Sequence, residues 1–189
     1  MAALGLVRVL GAVTVQSSSG QFSVHSPYPT TPSLGQLVRE PESDIVTLQP
    51  DPLAVAAERV KGALLRELGL RDLWRGRIQL NIRPGLSRSS APLVVVATRF
   101  TDTWLYTLEL PEQIGQDVLL RLLLQALLME LANRTDGPYS PELPLWLVEG
   151  MAERLQNLAG PDLIPRPTPL LGKIGDQVGR LPSVVQDKI

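Results

Sequence analysis

At 189 residues, 44% of them hydrophobic, the chain can bury a core of ordinary size without help from disulfides or a structural metal. A formal net charge of −1 gives no global electrostatic reason to expect nucleic acid or an anionic membrane as partner. The absence of cysteine excludes a disulfide framework without fixing the redox compartment, and the 17 prolines, about twice the usual share, gather toward the two ends.

The first segment, residues 1–44, opens with Arg8 and a modest apolar run from Val9 to Val15. Two readings stand side by side. One is the remnant of a secretory signal, whose positive charge would precede a longer apolar core; the other is a first β-strand. Residues 16–44 are rich in Ser, Pro, Thr and Gly, with one alternating piece, Phe22 to His25, that reads as a short strand. His25 reads as a polar residue on a strand face, since no carboxylate or serine constellation is visible beside it.

A compact domain is expected over residues 45–160. Ile45 to Leu48 reads as a strand closed by Pro50, and Asp51-Pro52 as an N-cap followed by proline in the first turn. From Leu53 to Leu68 the apolar positions 53, 56, 57, 60, 63, 64 and 68 recur at three and four, the pattern of an amphipathic helix. Glu58, Arg59, Lys61, Arg66 and Glu67 are assigned to its solvent side, and Gly69 to its stop.

Three strands follow. Arg77 to Arg83 alternates, placing Ile78, Leu80 and Ile82 in the core and Arg77, Gln79, Asn81 and Arg83 in water. Leu93 to Ala97 is apolar on both faces and is expected at the centre of the sheet. Trp104 to Leu110 alternates less cleanly and ends at Pro111. Between Arg71 and Arg99 lie Arg71, Arg75, Arg77, Arg83, Arg88 and Arg99 against Asp72 alone. This reads as a solvated sheet face whose arginines resist edge pairing, with a phosphate- or carboxylate-binding surface as the functional alternative.

From Val118 to Ala132 only Arg121, Gln125 and Glu130 are strongly polar, so a helix here would be apolar nearly all round and belongs in the interior. Fifteen residues are too few to cross a bilayer. The helix ends near Arg134, where Thr135 to Pro138 break it. A second helix is expected from Ser140 or Pro141, with its apolar face between Leu145 and Leu158 and Trp146 as a packing anchor. Residues 161–189 form a proline-punctuated tail. Its Lys173 to Gly179 piece lacks both the preceding strand and the Lys-Ser/Thr pair of a phosphate-binding loop.

The strings Met129-Glu130-Leu131-Ala132-Asn133 and Trp146-Leu147-Val148-Glu149-Gly150-Met151-Ala152 resemble the paired helices of the gluzincin, or peptidase MA-like, zinc-peptidase superfamily. The likeness runs from about Ile45 to Leu158. It implies an α+β fold: a small mixed sheet packed on a buried central helix, followed by a second helix that bears a glutamate, in the order β–β–α–β–β–β–α–α. It also implies that Glu130 stands at the general-base position, Glu149 at the third ligand, and Met129 and Asn133 where the family carries histidines.

Both histidine positions therefore depart from the pattern. The chain holds one histidine, His25, and no cysteine. A thioether is a soft ligand and a neutral amide a weak one, so neither replaces two imidazoles on Zn²⁺. Without the metal no water is activated for Glu130 to deprotonate, so no metal, no cofactor and no catalytic residue is expected. Met129 becomes core filler. Glu130 is expected to pair with Arg134, four residues on, or with Arg154, and Glu149 to cap or hydrogen-bond neighbouring backbone. Asn133-Arg134-Thr135 also fits the N-glycosylation pattern. Only 15 residues separate Asn133 from Glu149, short for the family's ligand geometry.

The sequence thus leads to a non-catalytic, peptidase-like domain, exported or envelope-associated in a bacterium. Its role would be structural, or binding of protein or peptide in the vestigial cleft, where the family accepts peptides alongside a sheet edge. No nucleic acid and no transmembrane helix are expected. Two alternatives stay open: a metal-free hydrolase using Glu130 and Glu149, and a metallopeptidase whose ligands are completed by further sequence.

Overall fold

Alternating side chains leave each strand with one apolar face, and the structure, a computed structural model, gathers those faces under two helices. It describes residues 12–27, 44–86, 93–101, 103–134, 139–159 and 163–164. The elements run β1 (Val13–Gln16), β2 (Phe22–Ser26), β3 (Ile45–Thr47), α1 (Pro50–Glu67), β4 (Arg77–Arg83), β5 (Val95–Phe100), β6 (Thr103–Pro111), β7 (Gln113–Gly115), α2 (Gln116–Ala132) and α3 (Leu145–Ala159). Five strands form a mixed sheet in the order β1-β2-β4-β6-β5. The middle three are parallel, and β1 and β5 flank them antiparallel. The fold is α+β with a mixed sheet, as the sequence leads one to expect.

Phe22, Val24, Ile78, Leu80, Ile82, Tyr106, Leu108 and Leu110 line the buried face of the sheet. Against them pack Leu53, Ala57, Val60 and Leu64 of α1 and an almost unbroken series of leucines from α2, including Leu119, Leu120, Leu123, Leu124 and Leu127. Each such side chain withdrawn from water contributes about 1.5–3 kcal/mol, so α2 is the largest single apolar contributor. A second, two-stranded sheet of β3 and β7 ties the entrances of α1 and α2 together. Leu48 N donates to Glu112 O and Gln116 N to Asp44 O. β7 lies where the sequence reads as a direct run from Leu110 into the helix.

Several boundaries shift. α1 begins at Pro50 after Gln49, without a side-chain cap, so Asp51 lies inside the first turn rather than capping it. Gly69 does end the helix, at φ +64, with Gly69 N bonded to Arg66 O and Leu70 N to Leu65 O, the paired bonds that satisfy terminal carbonyls. Leu68, assigned to the buried face, is exposed. α3 starts at Leu145, not at Ser140 or Pro141. Of the first apolar run, the strand covers Val13 to Val15; the signal-like residues 1–11, Arg88 and the Lys173–Gly179 piece lie outside the described residues.

Four placements contradict the sequence. Asn81, assigned to water, is buried on the outer face of the sheet, where its amide donates to Glu109 and accepts from Gln79. The stretch Leu93 to Ala97, read as a central strand apolar on both faces, lies in and just before β5. That strand runs on to Phe100 through Thr98 and Arg99 and is an edge strand, and the alternating β4 holds the centre. The order follows connectivity: β5 and β6 form a tight hairpin, while β4 reaches β2 and β6 through parallel crossovers. Trp146 is not a packing anchor, being 73% exposed at the start of α3. Lys61 is not on a solvent face. It is 3% exposed, with Nζ 2.9 Å from Glu58 Oε2 and 3.0 Å from Asp72 Oδ2. It donates to Ser19 Oγ at 2.8 Å and stands over the Phe22 ring.

The reason lies in the β1–β2 turn, which folds over α1 and closes the arc containing Ala54, Ala57, Lys61 and Leu65. Ser19 N and Oγ both donate to Glu58 Oε1, so turn, helix and the chain after α1 meet at one charged cluster. Burial pushes the Glu58 carboxyl up, but the Ser17 and Ser19 hydroxyls and the Lys61 ammonium outweigh it and hold the group below its ordinary 4.5. A depressed folded-state value contributes stability that is present above 4.5 and lost as pH falls through the folded value. Urea unfolding between neutral pH and pH 3 should therefore show stability declining in acid, with a shallower decline in Glu58→Gln. Lys61→Ala, which strands two carboxylates, should cost about 3 kcal/mol at neutral pH in the same measurement.

Candidate functional site

The last two turns of α2 carry Met129, Glu130 and Asn133, and the sequence around them decides where each side chain goes. Glu130 lies on the face turned toward the α1–β4 connection and is 2% exposed. Its Oε1 accepts Arg75 N at 2.8 Å and Gly76 N at 3.3 Å. Arg134, one turn on, donates Nη2 to Oε2 at 2.9 Å and Nε to both oxygens at 3.2 Å. Of the two arginines expected as partners, Arg134 is the one used; Arg154 binds Glu67 at 2.8 Å instead. Arg75 closes the loop by donating Nη1 to Arg134 O.

Gly76 makes this approach possible. A Cβ there would stand 2.7 Å from Tyr106 Cε2 and 3.1 Å from Glu130 Cγ, closer than side chains tolerate, so the backbone can reach the carboxylate only without one.

Met129 packs its thioether in the core, as expected of filler. Its carbonyl accepts the Tyr106 hydroxyl at 3.3 Å, and Asn133 Nδ2 donates to the same Tyr106 oxygen at 2.6 Å. The hydroxyl is thereby both donor and acceptor. Burial pushes Tyr106 up to about 12; the Asn133 donor opposes this and the nearby Glu130 charge adds to it. The Asn133 amide nitrogen, the atom a glycan would modify, is spent on this contact, and Thr135 lies outside the described residues.

Glu149 is placed elsewhere. Its Oε2 accepts Arg121 Nε at 2.7 Å, and Arg121 Nη1 bonds Asp117 Oδ2 at 2.6 Å. The expected backbone contact is replaced by a side-chain ion pair. Hydrogen bonds to Asp117 and then Glu149 raise the Arg121 guanidinium, and Asp117 is held low by that guanidinium against the opposing effect of burial. Arg121 precedes Met129 by eight residues, roughly 12 Å along the helix axis, and side chains on a helix lean toward its N-terminus. Met129, Glu130 and Asn133 thus share one end of α2 while Glu149 is tied toward the other.

His25 sits on the face of β2 opposite the buried Val24, so the sheet lies between it and α2. Nδ1 is 2.9 Å from Thr14 Oγ1 and Nε2 3.1 Å from Ser23 Oγ. The hydroxyls beside it come from sheet register, Thr14 opposite His25 and Ser23 two residues back. Among the described residues no group of three or more His, Cys, Asp or Glu side chains is placed to hold a metal ion. Of the arginine-rich stretch, Arg83 pairs with Glu109, which also receives Asn81 Nδ2 at 2.7 Å, and Arg71 and Arg77 are exposed. An open groove of about 820 Å³ between β1 and α1, lined by Val15, Ser17, Asp51, Glu58 and Arg66 among others, includes none of the four positions.

Sequence reasoning missed Tyr106, Arg121 and Lys61. The i, i+4 spacing of Asp117 and Arg121 was the readable signal for one, and the buried arc of α1 for another. No family model, no curated protein and no solved structure matches the chain.

Glu130→Gln keeps the shape and an oxygen for the two amides but loses the ion pair and turns an amide donor toward Arg134, so urea unfolding should show a loss of about 2–3 kcal/mol. Gly76→Ala should cost about 1–3 kcal/mol through the same contact.

Proposed function

We propose that the chain is a non-catalytic, gluzincin-like domain whose role is structural or protein-binding. One observation carries the reading: the carboxylate at the general-base position is buried and fully engaged by two backbone amides and Arg134. A general base needs a free lone pair within reach of the proton it takes, directly or through one water. Glu130 offers none without dismantling the α1–β4 connection. The glutamate at the third-ligand position is committed to Arg121, so a zinc ion or a paired carboxylate would have to compete with an ion pair already made.

The protein-binding part rests on β5. It stands at the edge of the sheet, so its outer row of backbone groups can accept an extended segment as an added strand. No helix among the described residues is long and apolar enough to cross a membrane. Export to a bacterial envelope belongs to the same reading and rests on the resemblance alone.

Purified chain dialysed against equimolar Zn²⁺ should retain well under one equivalent by elemental analysis, and casein and glycoside panels should show no turnover that Glu130→Gln removes. Stoichiometric zinc held through positions 129, 130, 133 and 149, or hydrolysis lost in Glu130→Gln without unfolding, would overturn the reading.

A further inference from the structure

We propose that the partner of β5 is β5 of a second copy of this chain, paired antiparallel about a two-fold axis at Thr98 to give a continuous ten-stranded sheet. The inference rests on the reading of this edge as a protein-binding element and names its occupant.

An edge strand exposes a row of unpaired backbone groups, and proteins that stay monomeric guard it with proline, lysine, bulges or inward charges. From Leu93 to Thr101 the chain has no proline and no lysine, and its one guard is the inward-facing charge of Arg99, which shares the core side with Ala97. Val94, Val96 and Phe100 are all exposed. The register with β6 places Val96, Thr98 and Phe100 on the face away from the helices, opposite Thr107, Leu105 and Thr103.

The order of residues is what points to a second copy. Antiparallel pairing centred on Thr98 sets Val96 of one strand against Phe100 of the other, twice, with Thr98 facing its own copy between them. Aromatic with β-branched and Thr with Thr are the cross-strand pairs that stabilise sheets. On the helix side the same register sets Arg99 against the small Ala97. Centring one residue later would bring Arg99 onto Arg99, a like-charge pair. Centring one residue earlier would set it against Val95, which is already packed on the core. Charge and shape therefore select the same register, and a two-fold interface requires this self-complementarity.

A strand pair of this length lies at the small end of specific interfaces, so the dimer should be weak, with Kd on the order of 10–100 μM. Sedimentation of the full chain from about 1 to 500 μM should follow a monomer–dimer equilibrium. Val96→Lys should weaken it at least about tenfold, and the double variant Val96→Glu/Phe100→Lys should restore it, because those two positions face each other only between copies. The native chain has no cysteine, so Thr98→Cys should oxidise to a disulfide-linked dimer. Val96→Cys, whose two copies would lie roughly 13 Å apart, should not. All three sites are on the surface, and circular dichroism should show unchanged folding.

A chain monomeric throughout that range, or Thr98→Cys cross-linking no faster than Val96→Cys, overturns the pairing. Protection of β5 by an unrelated extended peptide in a chain that stays monomeric also overturns it, while leaving the protein-binding reading intact. Zinc-dependent peptidase activity would overturn that reading and not the dimer.

Discussion

The constraint on which the rest of the structure depends is the burial of one carboxylate at the end of the most apolar helix. Placing Glu130 in the core is costly unless its charge is matched and its lone pairs are filled. Arg134 supplies the charge from one turn away, and Arg75 and Gly76 supply the amides. Those amides belong to a connection, residues 68–76, with no regular secondary structure to satisfy its backbone. The carboxylate answers a need of the chain while the chain answers a need of the carboxylate, and β4 enters the centre of the sheet from a fixed point.

The same connection is held a second time at Asp72, which reaches Lys61 on α1. Two charged clusters, each built on one buried group, Lys61 with Glu58 and the exposed Asp72, and Glu130 with Arg134, thus pin one stretch to both helices. Each cluster recruits a segment distant in sequence: the β1–β2 turn through Ser19 in one case, and α2 in the other. Breaking either leaves an uncompensated buried charge, a steeper penalty than loss of a surface ion pair. The leucines of α2 provide the largest single share of the apolar burial, whereas these clusters decide how the connecting chain lies over it.

On the proposed reading, the loss of imidazoles and the engagement of both glutamates are two sides of one change. A glutamate that activates a metal-bound water must keep an oxygen free, and a glutamate that braces a loop must not. Met129 as filler and Asn133 as donor to Tyr106 fit the second demand. Glu149, drawn to Arg121 toward the opposite end of α2, fits the short spacing after Asn133.

The sequence by itself determined the types of the elements it read, the buried character of α2, the Gly69 stop and that Glu130 would pair with an arginine, Arg134 or Arg154. All of these are local, since periodicities of two and 3.6 and an i, i+4 contact are settled within a few residues. Tertiary structure alone decided that β5 lies at the edge, that Lys61 is buried, that Trp146 is exposed and that Glu149 faces Arg121. Strand order depends on how connections cross the sheet, and the burial of a polar side chain on which distant segment closes over it. An apolar run states only that the chain can be buried; whether it is depends on what the remaining chain brings against it.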